Sequence, residues 1–312
     1  MEPTVRPRRS ALYMPASNAR AVEKARSLPC DVVILDLEDA VAPEAKPDAR
    51  AAALAAVKAG GFGRREVVIR VNGLSTPWGA DDLAAAAEAG PDAVLVPKIN
   101  AAADVEAYDC ALAAAPPATR LWAMIETCPA MFDLLGIAAA SARTRLAAFT
   151  MGINDLAKEM KARQTPGREA FVPFLSMAVA AARAHGLAAL DGVHNEIDDL
   201  ALLEATCRQG AEVVNEIDDL ALLEATCRQG AEFGFDGRSV IHPTHLETCN
   251  RVYAPPPEEV AWAAAVVAAF ANPQNEGRGA LRVEGRLAER LHLSEARRLL
   301  DLAAAIDAAN VA

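Results

Sequence analysis

Residues 31–39 read Asp31-Val32-Val33-Ile34-Leu35-Asp36-Leu37-Glu38-Asp39. Four consecutive apolar positions run straight into a cluster of carboxylates. A short, nearly continuous apolar run of this kind reads as a strand covered on both faces, as in a parallel sheet. The pattern recurs along the chain, with strand candidates at 10–14, 31–37, 66–71, 93–97, 121–125, 146–151, 187–190 and 235–241. Helix-like segments at 19–26, 49–59, 80–89, 101–114 and 174–185 lie between them. Eight β–α units in about 250 residues predict a (β/α)8 TIM barrel. A doubly wound sheet is the alternative, but no GxGxxG follows the first strand.

Composition narrows the function. The chain has 312 residues, 53% of them apolar and 23% charged, a globular mix. Aromatics are only 4%, so the core rests on Ala, Val, Leu and Ile. A formal charge of −11 argues against non-specific binding to nucleic acid or anionic membranes. The basic start, Met1 to Ser10, leads into no signal-peptide-like apolar stretch. The longest strongly apolar run, 260–271, is 12 residues, short of the roughly 20 that span a bilayer. The six cysteines form no CxxC pair and are widely spaced, which suits reduced thiols in a cytoplasm. No HExxH occurs.

Residues 195–212 and 215–232 both read NEIDDLALLEATCRQGAE. With flanking residues the unit is 20 residues long, 193–212 followed by 213–232, and only His194 against Val214 differs. Solenoid repeats recur three or more times and diverge. One near-perfect pair reads instead as a recent tandem duplication, an introduced one or a sequence error. Each unit looks like a cap and a helix: Asn195 or Asp198 caps, Leu200, Leu202, Leu203 and Ala205 form the apolar stripe, and Gly210 stops it. Two units cannot fill one helix-sized slot, so one is expected to dock and the other to bulge out or extend the connection.

The pattern breaks at Tyr253-Ala254-Pro255-Pro256-Pro257. The expected division is a catalytic barrel over 1–252 and an extension over 253–312. The extension holds a helix at 258–271, a short apolar run at 280–283 and a helix at 294–309. About 60 residues make a small core, so this tail is expected to pack on the barrel or on a neighbouring subunit.

Barrel chemistry is done at the C-terminal ends of the strands. Seven of the eight ends carry polar or ionisable residues: Asp36-Leu37-Glu38-Asp39, Arg70-Val71-Asn72, Lys98, Glu126, Asn154-Asp155, Asp191 and His242. Like charges grouped on one rim repel unless a cation or ligand compensates them. Glu126 and Asp155 make the best metal pair, on adjacent strands and with no Cys or His beside them. Two carboxylates plus water and substrate oxygens suit a hard ion, Mg²⁺ or Mn²⁺. The alternative is structural: Glu126 caps the next helix and Asp155 is the N-cap of 156–160. Arg70, on an alternating strand, is rarely buried without a partner. It reads as a grip on a substrate carboxylate or carbonyl, or else as a salt bridge to Glu38 or Asp36 inside the barrel. Asp36, Glu38 and Asp39 read as holding metal-bound waters and positioning Arg70. His242 reads equally as an acid–base group or a structural hydrogen-bonder.

The stretches 9–18 (RSALYMPASN), 31–41, 68–72, 96–98, 122–127, 152–159 and 234–243 resemble, in order, the citrate lyase beta-subunit-like proteins. These belong to the HpcH/HpaI aldolase superfamily and include malyl-CoA and citramalyl-CoA lyases. The resemblance implies a TIM barrel with Mg²⁺ on Glu126 and Asp155, a substrate contact from Arg70, and a CoA thioester substrate. It implies a homotrimer or a multiple of it, such as a hexamer, in the cytoplasm. It also implies that a C-terminal segment from one subunit covers a neighbour's site and brings an acid. The matching stretch is 285–291, where the usual Asp–x–Pro reads Glu289-Arg290-Leu291. The expected activity is Mg²⁺-dependent cleavage of a carbon–carbon bond in a malyl-, citramalyl- or citryl-CoA type β-hydroxyacyl-CoA. Arg70 would stabilise developing negative charge and Glu289 would donate the proton. Arg20 and Lys24, just after the first strand, are candidates for the CoA diphosphate. The alternatives are a malyl-CoA thioesterase, an aldolase for free keto acids, and an inactive relative that only binds CoA esters.

Overall fold

The computed structural model describes residues 5–193 and 220–311. Eight strands close in sequence order into a parallel barrel. They are β1 (Ser10–Pro15), β2 (Val32–Asp36), β3 (Glu66–Arg70), β4 (Ala93–Val96), β5 (Arg120–Ile125), β6 (Leu146–Met151), β7 (Ala188–Asp191) and β8 (Gly237–Val240). The last pairs with the first through Ser10↔Arg238, Ala11↔Ser239 and Leu12↔Val240. The helices are α1 (Ala19–Ala25), α2 (Lys46–Ala59), α3 (Gly79–Ala89), α4 (Ala102–Ala111), α5 (Cys128–Phe132), α6 (Leu134–Ala139), α7 (Ile153–Met160), α8 (Val172–Ala184), α9 (Leu220–Phe233) and α10 (Leu246–Val252).

Alternate strand residues fill the barrel. Ala11, Val32, Ile34, Val68, Ala93, Leu95, Trp122, Met124, Ala148 and Leu190 form one buried cluster, with Tyr13 packed against it. Small Ala positions make room for Trp122, which is fully buried. The same alternation carries Asp36, Arg70 and Glu126 to the C-terminal end of their strands, pointing to the axis. At the other end the charges cancel in pairs. Arg8 Nε lies 2.6 Å from Glu66 and Arg9 Nη2 2.8 Å from Asp31. That end therefore reads as a structural seal.

The helix docked between β7 and β8, α9, comes from the second copy of the duplicated unit. The first copy after Val193, with its expected caps and stripe, lies outside the described residues. In α9 the buried positions are Thr226, Cys227 and Gly230, whereas Leu220 is 45% exposed. The expected Leu stripe is thus only partly the docking face. The Gly expected to end the unit, here Gly230, sits inside the helix, which runs on to Phe233. Gly234 takes the left-handed φ of +90° that ends it.

Residues 8–252 form one compact unit, and a second comprises the residues from Tyr253 onward with the N-terminal residues up to Pro7. The second unit holds α11 (Pro257–Ala271), an antiparallel hairpin of β9 (Ala280–Val283) and β10 (Arg286–Glu289), and α12 (Arg290–Val311). Its core is Ala263, Val266, Leu281, Val283, Ala288 and Ala296. The sequence reading lacked β10 and started the last helix four residues late, because the strand is only four residues long. No helix among the described residues is long and apolar enough to cross a membrane.

Candidate active site

Three strand ends carry the densest charge. Arg70 closes β3, 7% exposed. Its Nε and Nη2 donate to the two oxygens of Asp36, at 2.6 and 2.5 Å. Its Nη1 donates to Asp39 at 3.2 Å and lies 2.9 Å from Glu38 Oε2. Arg70 is therefore first a member of a barrel-internal ion cluster, the alternative to a direct substrate grip. Asp36 is 1% exposed and also accepts the backbone N–H groups of Glu38 (2.9 Å) and Ala40 (3.1 Å). With four donors already on it, Asp36 acts through Arg70 and the loop rather than facing the open rim. Asp39, with 69% of its side chain exposed, is the movable partner.

Lys46, absent from the sequence reading, fixes that loop from below. Its Nζ donates to Leu37 O, Glu38 O and Asn72 Oδ1 at 2.8–2.9 Å. Glu38 Oε2 is buried, and its partner among the described residues is the Arg70 guanidinium, as an ion pair rather than a hydrogen bond. Burial pushes the Glu38 carboxyl up to about 8 against the pull of Arg70, with Asp39, Glu126 and Asp36 adding to the rise.

Glu126, 2% exposed, follows β5 directly. Its Oε1 accepts the backbone N–H of Lys98 at 2.8 Å. Burial pushes its carboxyl up to about 7, opposed by Lys98 and reinforced by Asp155. Asp155 sits in the first turn of α7, whose N-cap is Gly152, so it is not the N-cap that was its alternative role. Lys98 Nζ stands between the two carboxylates, 2.6 Å from Asp155 Oδ1 and 3.5 Å from Glu126 Oε1. Gly152 is another residue the sequence reading passed over. A Cβ there would lie 2.5 Å from both Glu126 Cβ and Oε2.

The remaining candidates make none of these contacts. Arg20 and Lys24 are exposed one turn apart on α1. Glu289 ends β10 in the second unit, where its N–H donates to His292 Nδ1 at 3.0 Å. Asp191 is fully buried and held by Arg168 at 2.7 Å and Arg238 at 3.3 Å, so it is a structural anchor. Nothing in the sequence flagged Arg168, because it comes from the loop after α7. His242 caps the turn that follows β8, its Nδ1 accepting from Thr244 N, the structural one of its two readings. Under the rim, Tyr13 Oη is buried beside the Ser239 hydroxyl, a contact that falls short of full hydrogen-bond geometry. Burial raises its phenol pKa, while Arg70 pulls it down and Asp36 pushes it up. Tyr13 escaped notice because an aromatic on a strand reads as core.

Among the described residues, the rim ion pairs join five carboxylates, Asp36, Glu38, Asp39, Glu126 and Asp155, to Arg70 and Lys98. Among the described residues no group of three or more His, Cys, Asp or Glu side chains could hold a metal ion. The donor set at Glu126 and Asp155 still fits a hard divalent cation, which binds through one or two carboxylates and keeps its other positions for water and ligand.

A closed parallel barrel with a carboxylate-rich C-terminal rim belongs to the TIM-barrel class. The HpcH/HpaI aldolase/citrate lyase family model matches residues 9–216, and the chain belongs to that family. It is 42% identical to the (3S)-malyl-CoA thioesterase of Cereibacter sphaeroides over 302 residues, 97% of this chain and 96% of that protein. The L-malyl-CoA/beta-methylmalyl-CoA lyase of the same species is 30% identical, with 94% of each chain covered. Among solved structures, protein CitE from Mycobacterium tuberculosis, in complex with magnesium, acetoacetate and coenzyme A, superposes with a TM-score of 0.69 at 29% identity. That match covers 95% of this chain and 97% of CitE.

Proposed function

We propose that this protein hydrolyses the thioester of a malyl-CoA-type β-hydroxyacyl-CoA, with Mg²⁺ held by Glu126 and Asp155. The observation that carries the metal-dependent reading is the excess of carboxylates on the rim, which a divalent cation relieves. The choice of thioester hydrolysis over carbon–carbon cleavage is supported by the 42% identity to a malyl-CoA thioesterase, against 30% to a malyl-CoA lyase.

When bound, the cation supplies Lewis acidity to the oxygens of the substrate. Glu38 accepts a proton from the attacking water, for which a buried carboxyl pushed up to about 8 is suited. The water oxygen bonds to the thioester carbon, the carbon–sulfur bond breaks, and Glu38 returns its proton to the departing CoA sulfur. Arg70 faces the developing oxyanion through Nη1 once the exposed Asp39 yields, while Asp36 holds the guanidinium plane. Arg20 and Lys24 meet the CoA diphosphate.

A second reading is the lyase, with Glu289 of a neighbouring subunit protonating the acyl-CoA enolate and residues 253–312 capping that neighbour's site in a trimer or hexamer. The lyase among the relatives favours it. The test uses malyl-CoA and citramalyl-CoA with Mg²⁺, following free thiol and keto acid in parallel. Thiol without keto acid, abolished by chelator and by Glu126→Ala, is the expected result. Keto acid without thiol overturns hydrolysis in favour of the lyase, and neither product removes both readings.

A further inference from the structure

Lys98 addresses the carboxylate pair twice, with two separable groups. Its backbone N–H donates to Glu126 Oε1 at 2.8 Å. Its ammonium lies 2.6 Å from Asp155 and 3.5 Å from the same Glu126 oxygen. The backbone at Lys98 takes φ +54°, a left-handed conformation unusual for a residue with a side chain. Such strain persists only where the surroundings enforce it, and here it aims both groups at one place. The two ends differ in freedom. The N–H is fixed between the Pro97 peptide and a buried carboxylate. The side chain is 48% exposed, on four flexible methylenes, with solvent to swing into.

We propose that the Lys98 ammonium is a built-in counter-cation that holds the Glu126–Asp155 position until a divalent cation displaces it. This rests on the reading of that pair as the metal site. Without the ammonium, Glu126 and Asp155 face each other and Glu38 across a barrel mouth where Arg70 is already shared by Asp36, Glu38 and Asp39. With it, the metal-free rim keeps its two donors turned toward a common point. The ammonium and the divalent cation compete for the same oxygens, so Lys98 lowers metal affinity while it preserves the site. Its displacement leaves an unpaired ammonium on the rim, where it meets an anionic substrate. Metal and substrate binding are thereby linked through one side chain.

The test is Mn²⁺ binding, read by electron paramagnetic resonance at fixed pH and ionic strength, on the wild type, Lys98→Met, Lys98→Arg and Glu126→Gln. Lys98→Met keeps the backbone N–H and most of the side-chain volume. Loss of the competing charge is expected to tighten Mn²⁺ binding by about five-fold or more. Its metal-free form is expected to melt lower and to gain more in Tm from Mn²⁺ than the wild type does. Lys98→Arg, which keeps the charge, is expected to stay close to wild-type affinity. Lys98→Met binding Mn²⁺ equally or more weakly overturns the proposal and leaves the metal pair standing. Wild-type binding that is absent, or indifferent to Glu126→Gln, overturns the metal pair itself and the proposal with it.

Discussion

Replacing Gly152 by Ala puts a methyl group into space that Glu126 already fills. The added Cβ would lie 2.5 Å from Glu126 Cβ, 2.5 Å from Oε2 and 3.3 Å from Cδ. The Gly152 backbone is at φ −105°, open to any residue, so conformation adds no strain. Ala alone would stabilise by about 0.4–1 kcal/mol, by narrowing the unfolded ensemble. The contact opposes this. The oxygen can rotate away, but Cβ is tied to the backbone, and about 1 Å must be made up to reach an ordinary carbon–carbon separation of roughly 3.5 Å. Making it up moves the backbone at Gly152 away from Glu126, against the Gly152 N→Ile125 O bond of 3.0 Å that ties the ends of β5 and β6 together. Overpacking of this kind costs about 1–3 kcal/mol, so a net loss near 1–2 kcal/mol is expected. Glu126 moves off the Lys98 N–H, and a displaced donor should weaken Mn²⁺ binding by at least about ten-fold, a misplacement of ~1 Å being worth up to a hundred-fold in other sites. The assay is an Mn²⁺ titration with thermal melts in the presence and absence of metal. Gly279→Ala serves as control, since nothing lies within 4 Å of its added Cβ. Unchanged affinity together with an unchanged melt in Gly152→Ala would refute the packing of Glu126 against β6.

Glu126 and Glu38 have folded-state carboxyl pKa values raised to about 7 and about 8 from 4.5, so the folded metal-free protein binds more protons than the unfolded chain between those limits. Stability from these groups is therefore full below pH ~4.5 and lost as pH rises through about 7 to 8. For Glu126 alone the loss is on the order of 3 kcal/mol. Melts across pH 5–9 should show the decline, and Mg²⁺ should flatten it while metal affinity rises with pH; a metal-free profile flat over this range would count against it. Deleting 193–212 keeps the second copy, which supplies the docked helix α9, and shortens the link between Asp191 and Leu220 from 28 residues to 8. The deletion variant should fold and gain about 1 kcal/mol of loop-closure entropy, read as a higher denaturation midpoint; failure to fold would mean that the first copy is required. Tyr13→Phe removes a buried hydroxyl whose contact with Ser239 falls short of full hydrogen-bond geometry, so stability should hold or rise by up to about 1 kcal/mol. A clear fall in the denaturation midpoint would show that the hydroxyl is satisfied in the folded protein.

Much of the frame was legible because parallel strands buried on both faces leave continuous apolar runs. The eight runs, their order and the acids that follow them all appear in the barrel. Glu126 and Asp155 could be paired from the sequence because consecutive barrel strands are neighbours, so residues just past β5 and β6 must meet. The hairpin strand β10 was not legible, since four residues beside a left-handed Glu284-Gly285 turn give too short a period to read.

Charge identity along the rim came from the sequence, as did the strand period that turns Asp36, Arg70 and Glu126 to one end of the axis. Pairing did not. A sequence read strand by strand cannot tell whether Arg70 faces a substrate or Asp36, because both need the same buried guanidinium. The register of β2 on β3 is what set those two residues side by side. The pairing of β4, β5 and β6 likewise brought Lys98, two residues past β4, between carboxylates from β5 and α7, and put Gly152 against Glu126. The identical copies make the same point, since two equal sequences compete for one slot. The structure seats the second copy there, because docking is decided by a space that exists only once the strands on either side have paired.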